Sequence, residues 1–142
     1  MKHNLLSTRV VKFMSIMLAA LLTIVAAGSS SAQAASASGR VNGINVTATL
    51  YRSQTAASAS TTSNSNGMIH TVSLSLWYYY TENGVAKSKT LSTSKQYSSS
   101  VNVDLTGSGS YVQAYGAISN HAAYSGSASW STVLRDPAGF TG

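Results

Sequence analysis

Apolar and polar residues alternate with a period of two along most of the chain between residues 44 and 134. The clearest row runs from Val72 through Leu74, Leu76 and Tyr78 to Tyr80. Because successive side chains of a β-strand point to opposite faces, such a row indicates a half-buried strand. Weaker rows of the same kind cover residues 44–50, 101–105, 112–118 and 128–134. The pattern predicts an all-β protein.

A turn signal separates the strongest row from the strand that follows it. Asn83-Gly84 accepts the positive φ angles that a two-residue type I′ turn requires. Such a turn fixes the register of the hairpin, so it places Glu82 opposite Val85 and Tyr80 opposite Lys87. The returning strand should run from Val85 toward Tyr97.

The predicted strands are short and follow one another closely. Six or seven antiparallel strands within residues 35–142 favour a single antiparallel β-sandwich. The eight Tyr and two Trp residues all follow residue 34 and supply large apolar areas to a chain that is poor in aliphatic residues. Residues 53–67 are a low-complexity stretch of mostly Ala, Ser, Thr and Asn. We predict a loop there, with a weak edge strand as the alternative.

The N-terminal 34 residues have the pattern of a secretory signal peptide. Lys2, Arg9 and Lys12 precede an apolar run over residues 13–27, and Ala32-Gln33-Ala34 offers the small residues that a signal peptidase recognises. The run is too short for a spanning helix, which needs about 20 residues. We predict cleavage after Ala34, with Ala37 as the alternative site, and a mature domain of residues 35–142.

The net charge and the absence of cysteine argue against several classes of function. The net charge of +6 falls to +3 when the three cations of the signal peptide are removed, so binding to nucleic acid is not expected. The absence of Cys excludes disulfides, thiolate nucleophiles and cysteine metal sites. An exported domain without disulfides favours bacterial secretion. We expect a secreted, extracellular protein with no stable membrane insertion after cleavage.

The segment from Leu105 to Ala114 contains a Leu, a Gly/Ser turn and Tyr111 six residues after the Leu. This segment resembles the turn before the penultimate strand of fibronectin type III and immunoglobulin-like domains. The resemblance implies a tyrosine corner at Tyr111, although the proline of the fibronectin turn and the immunoglobulin cysteine pair are absent. An ordinary aromatic residue at the edge of the core is the alternative. Together with the signal segment and the hairpin, the chain also resembles small, uncharacterised secreted proteins of Gram-positive bacteria, which implies no activity.

The sequence offers few groups for catalysis. Glu82, Asp104 and Asp136 share no motif, whereas glycoside hydrolysis needs two facing carboxylates. Ser residues are plentiful, but no Gly-x-Ser-x-Gly elbow occurs. His70 and His121 lack the spacing of a metal site. We therefore predict a protein that is not an enzyme and that has no cofactor and no bound metal.

The four consecutive aromatic residues Trp77-Tyr78-Tyr79-Tyr80 are the main candidate for function. If Tyr78 and Tyr80 face the core with the aliphatic row, Trp77 and Tyr79 stand on the opposite face. Rings at these positions strengthen cross-strand pairing, lie beneath the predicted loop of residues 53–67, or form a contact surface for a glycan or an extracellular protein. We predict an exported binding or adhesion domain with Trp77 and Tyr79 as ligand contacts. The alternative is a secreted antibacterial or membrane-active protein.

Overall fold

The computed structural model describes residues 33–63 and 69–142. These residues form eight strands and no helix: β1 (Gln33–Val41), β2 (Ile44–Arg52), β3 (Ala56–Ser63), β4 (Ile69–Glu82), β5 (Val85–Ser98), β6 (Ser100–Thr106), β7 (Val112–Ser125) and β8 (Ala128–Asp136). The first sheet has the order β1-β2-β3-β6 and the second has β5-β4-β7-β8, and both are antiparallel. The all-β prediction is confirmed. The predicted signal peptide, apart from its last two residues, lies outside the described residues.

One hydrophobic core receives side chains from both sheets. The alternating row of β4 contributes its aliphatic side chains and also Tyr78 and Tyr80, as the sequence predicts. The two tyrosine rings stack with their centroids 4.9 Å apart. The first sheet supplies the other half of the core through Val46, Ala48, Leu50, Val101 and Val103. Each sheet therefore keeps one face for the core and one face outside it.

The predicted hairpin between β4 and β5 is confirmed. Asn83 and Gly84 have φ angles of 51° and 78°, and the pairs Glu82 with Val85 and Tyr80 with Lys87 are formed. The same dipeptide, Asn42-Gly43, joins β1 to β2 with φ angles of 51° and 81°. Each sheet thus contains one hairpin whose register is fixed by an Asn-Gly turn.

The structure corrects two features of the predicted strand list. Residues 56–63 are not a loop, because they form β3, and β3 is not an edge strand, because it pairs with β2 and with β6. Its inward side chains Ala57, Ala59 and Thr61 are small, but they are buried. Strand β1 was also not predicted. The described residues therefore contain eight strands, whereas the sequence predicted six or seven.

A β-bulge in β7 changes which side chains face the core. Tyr79 pairs with Gly116 and Tyr80 pairs with Ala114, so Tyr115 is the extra residue between them. The inward row therefore continues after the bulge at Ala117. The sequence pattern placed Ile118 in the inward row, and this is wrong because Ile118 pairs with Trp77 on the outer face.

The predicted tyrosine corner is wrong. Tyr111 is 87% exposed and lies just before β7 with a φ angle of 53°. This left-handed backbone conformation and the Gly/Ser turn before it leave the ring in solvent, whereas a corner tyrosine packs back onto the preceding turn. The resemblance to immunoglobulin-like domains therefore loses the residue that carried it.

Candidate binding face

Trp77 and Tyr79 lie on the outer face of the second sheet, on the side of β4 that faces away from the core. They pair with Thr90 and Ser88 of β5, as the hairpin register predicts. Both rings are half-buried rather than fully exposed. The structure thus places both residues outside the core, and their role as ligand contacts stays a prediction.

Tyr79 belongs to an aromatic cluster that the sequence did not reveal. Its ring centroid lies 5.1 Å from that of Phe140 and 6.3 Å from that of Tyr115. The rings of Tyr115 and Phe140 are 6.1 Å apart, and their planes meet at 69°. These distances and tilted geometries are typical of favourable aromatic pairs. We call Tyr79, Tyr115 and Phe140 the aromatic cluster.

The C-terminal residues fold back to bring Phe140 onto this face. The Phe140 amide donates to the Pro137 carbonyl at 3.0 Å, and Arg135 Nη1 donates to the Phe140 carbonyl at 2.6 Å. The Phe140 ring lies directly over Gly116, where a side chain would occupy the same space. Gly116 is therefore the residue of β7 that lets the ring reach the sheet.

A shallow trough adjoins the aromatic rows on the same face. Its volume is about 430 Å³, and nine residues of β4, β7 and β8 line it. Leu74, His121 and Thr132 belong to the inward rows, and the outward side chains are Ser73, Ser75, Asn120, Ala122, Ser131 and Val133. Cross-strand pairing arranges these six residues as two neighbouring rows. Larger side chains flank the rows, with Tyr124 on one side and the pair Trp77 and Ile118 on the other. Small residues between large ones account for the concave shape.

A buried histidine forms hydrogen bonds with one side chain from each sheet. His121 Nδ1 lies 2.8 Å from Thr61 Oγ1 of the first sheet, and His121 Nε2 lies 2.7 Å from Ser119 Oγ. Burial lowers the pKa of His121 from 6.5 to about 4, so the imidazole is neutral at pH 7. His121 lies inside β7. Ser119 and His121 are at most 1% exposed, so a substrate cannot reach this pair in the folded chain.

A buried ion pair provides a second polar link between the sheets. Arg52 Nε and Nη2 donate to the two carboxylate oxygens of Asp136 at 3.2 and 3.3 Å, and Arg52 Nη1 donates to the Ala114 carbonyl at 3.1 Å. Arg52 is 8% exposed and Asp136 is 1% exposed. The forked geometry satisfies both charged groups. These contacts give both residues a structural role.

Residues 33–63 and 69–142 hold neither a metal-ligand cluster nor a membrane-spanning helix. No group of three His, Asp or Glu side chains within these ranges is arranged to hold a metal ion. The same residues contain no helix with the length and hydropathy to cross a bilayer. The outer face of the second sheet, with the aromatic cluster and the trough, is the candidate site that combines rings, polar groups and a cavity.

No protein family, curated protein or solved structure was found to match this chain. The function must therefore be argued from the chain's own geometry. The sequence identified Trp77 and Tyr79 because they share one strand. It missed Tyr115 and Phe140 because one depends on a bulge and the other on a C-terminal turn.

Proposed function

We propose that the mature chain is an exported, non-catalytic β-sandwich domain that binds a glycan or an extracellular protein outside the cell. The N-terminal pattern of residues 1–34 supports export. The low charge of residues 35–142 argues against nucleic acid as a partner. The binding surface is the outer face of the second sheet.

The observation that carries the proposal is a group of aromatic rings outside the core. Trp77, Tyr79 and Phe140 are half-buried, and Tyr115 is 43% exposed. If the outward positions of this face only kept the sheet soluble, polar side chains would occupy them. Rings on a sheet lose little side-chain entropy when a ligand binds, and they offer an apolar surface to sugar or protein.

The test is a double substitution, Trp77→Ser with Tyr79→Ser. We expect the variant to lose most of its binding to purified Gram-positive cell walls in a pull-down assay, because the apolar surface is removed. Tyr51→Ser is the matched control, since Tyr51 is a 44% exposed tyrosine on the outer face of the first sheet. Circular dichroism should show that each chain is folded.

A single variant is needed as well, because Tyr79 also packs on Phe140 and the double substitution removes that contact. Trp77→Ser alone leaves the contact between Tyr79 and Phe140 in place. We expect this single variant to bind more weakly than the natural chain. Undiminished binding by both variants would contradict the proposal, and so would failure of the natural chain to bind cell walls, a glycan array or extracellular matrix proteins.

Membrane activity is the second candidate, and strand β5 is the observation in its favour. Lys87, Lys89 and Lys95 alternate along this strand, and on the same side Leu91 is 47% exposed and Tyr97 is 60% exposed. Cationic and apolar groups on one surface are typical of proteins that bind anionic lipid. Leakage of anionic vesicles that is reduced in the Lys95→Ser variant would favour this candidate over glycan binding.

A further inference from the structure

We propose that the trough on the second sheet binds an internal segment of a linear, uncharged polysaccharide that runs across the strands. This inference rests on the proposed function and names the ligand class and its orientation. It adds Tyr124, Ser75 and Asn120 to the residues that contact the ligand. Neither the alternating sequence pattern nor the row of aromatic residues identified these three.

The chemistry of the trough matches hydroxyl-rich, uncharged ligands. Three serine side chains and one asparagine side chain line it, and these groups both donate and accept hydrogen bonds. Sugar hydroxyls have the same dual character. The six outward side chains of the lining include no charged group. Arg135 lies in the neighbouring row beside Ile118, where it donates to the Phe140 carbonyl. An anionic polymer would therefore leave most of its charges without partners in the trough, at a considerable desolvation cost.

The aromatic residues at both sides of the trough supply the apolar part of the site. Tyr124 is 45% exposed beside Ala122, and the Trp77 ring lies beside Ser75 along β4. Sugar rings have apolar faces of C–H groups as well as hydroxyl edges, so aromatic walls and a hydroxyl floor bind different parts of one ligand. The trough volume of about 430 Å³ lies in the range of specific small-ligand sites, roughly 300 to 1,000 Å³.

The trough is open at both ends, which is the reason for choosing an internal segment. Its rows continue across β5 through Ser92 and Ser94, which are exposed, and they reach the edge of the sheet at β8. No large side chain from the paired rows closes either end. A chain can therefore enter over one edge and leave over the other.

An extended peptide fits this face less well than a polysaccharide. Peptides in extended conformation are usually bound at a sheet edge, where unpaired backbone groups complete the ladder. The trough lies on a face whose central strands β4 and β7 already pair on both sides. Only side chains are available there. Ser92 Oγ and Ser75 Oγ, 2.8 Å apart, show the kind of hydrogen bond that these side chains form.

The experiment uses hexasaccharides of glucose, mannose and N-acetylglucosamine as probes, with calorimetry and tryptophan fluorescence as readouts. We expect at least one hexasaccharide to bind more tightly than its monosaccharide, and binding should persist in high salt because no charge is involved. Tyr124→Ser should weaken binding about tenfold, the upper range of one aromatic contact. Tyr51→Ser is the control with nearly the same exposure, 44% against 45%.

A second pair of variants tests the floor of the trough. Ser75→Leu fills it and should abolish hexasaccharide binding. Ser60→Leu is the matched control, because Ser60 lies on a central strand of the first sheet and its hydroxyl is also 2.8 Å from a hydroxyl of the neighbouring strand. Denaturation curves should show similar stability for the two variants.

The outcomes separate this inference from the proposed function. If Trp77→Ser with Tyr79→Ser abolishes cell-wall binding while Tyr124→Ser and Ser75→Leu keep it, the trough is not the site and the binding function stands. If the natural chain binds an extracellular matrix protein but no hexasaccharide, only the trough proposal is wrong. If it binds neither cell walls, nor extracellular matrix proteins, nor any hexasaccharide, both proposals are wrong. Binding only to an anionic polymer such as polyglutamate, with loss in high salt, would also overturn the trough proposal.

Discussion

The outer faces of the two sheets have the same strand number and the same pairing, but they differ in their side chains. The face of the first sheet is a grid of hydroxyl groups with one tyrosine, Tyr51. The grid consists of Ser36, Ser38, Thr47, Thr49, Ser58, Ser60 and Thr62. The face of the second sheet has hydroxyl groups too, but it also carries Trp77, Tyr124 and the aromatic cluster.

The difference separates side chains that both sheets use on their outer faces from aromatic side chains that are concentrated on one face. Hydroxyl pairs occur on both faces, such as Thr49 with Ser60 and Ser75 with Ser92, so these pairs are a common way to keep a weakly charged sheet in water. The first sheet also has a depression of about 420 Å³, but Arg40 is among its lining residues and no aromatic residue is. Rings beside an uncharged trough are thus particular to the second sheet.

The largest effect on stability should come from breaking the buried ion pair between the two sheets. Asp136→Ala leaves the Arg52 guanidinium buried without its carboxylate, which should lower the free energy of unfolding by about 3 to 5 kcal/mol. Arg40→Ala is the control, because Arg40 Nε donates to Asn45 Oδ1 at 2.7 Å on the exposed face of the first sheet. We expect the control to cost under about 1 kcal/mol in urea denaturation. Equal losses would contradict the role of the buried ion pair as a link between the sheets.

Acid should weaken the polar link that His121 forms between the sheets. An unfolded His121 binds a proton near pH 6.5, but the folded chain binds it only near pH 4. The unfolded state therefore holds more protons between these values, and stability falls as the pH is lowered through this window. The loss reaches about 3 kcal/mol by pH 4. Urea denaturation at several pH values measures it.

A pair of histidine variants separates this effect from the titration of carboxylates. His121→Gln should lose most of the pH dependence between pH 6.5 and 5, whereas His70→Gln should keep it because His70 is exposed and does not join the sheets. Parallel pH profiles for the natural chain and His121→Gln would contradict the assignment. If acid also weakens glycan binding, the interior and the outer face of the second sheet are coupled.

The smallest expected effect compares one ring on each outer face. Phe140→Ala should lower the free energy of unfolding by about 2 kcal/mol, roughly half the cost of truncating a fully buried phenylalanine. Tyr51→Ala should cost under about 0.5 kcal/mol, as exposed substitutions usually do. Thermal denaturation of both variants measures the difference. A cost for Phe140→Ala as small as that for Tyr51→Ala would show that the aromatic cluster adds binding area but no stability.

The parts of the fold that follow from local rules were predicted from the sequence. The β4 row and the Asn83-Gly84 turn fix the hairpin within a short stretch of chain, so the outward position of Trp77 and Tyr79 followed from parity. Strand β3 was missed because its buried residues are Ala and Thr, whose apolar signal is weak. It is buried because its neighbours β2 and β6 enclose it, and this arrangement is not encoded within the segment itself.

The parts of the site that depend on distant contacts were not predictable. Tyr115 faces outward because a bulge inserts it into β7, and the alternating pattern alone does not predict an extra residue. Phe140 reaches the face through a turn and a close approach to Gly116. The partner of Asp136 lies on β2, far away in the chain. Each of these placements needs the pairing of whole strands to be known first.

Strand β5 is one of the edge strands at which two copies of the protein can meet. It is a 14-residue strand at the edge of the second sheet, and most of its side chains are exposed. Lys87 is paired with Glu82. Two such edges that approach each other still bring Lys89 and Lys95 of both copies together, and this repulsion opposes edge-to-edge pairing. Salt screens the repulsion. At this edge, concentrated salt is therefore expected to favour pairing between copies of the protein.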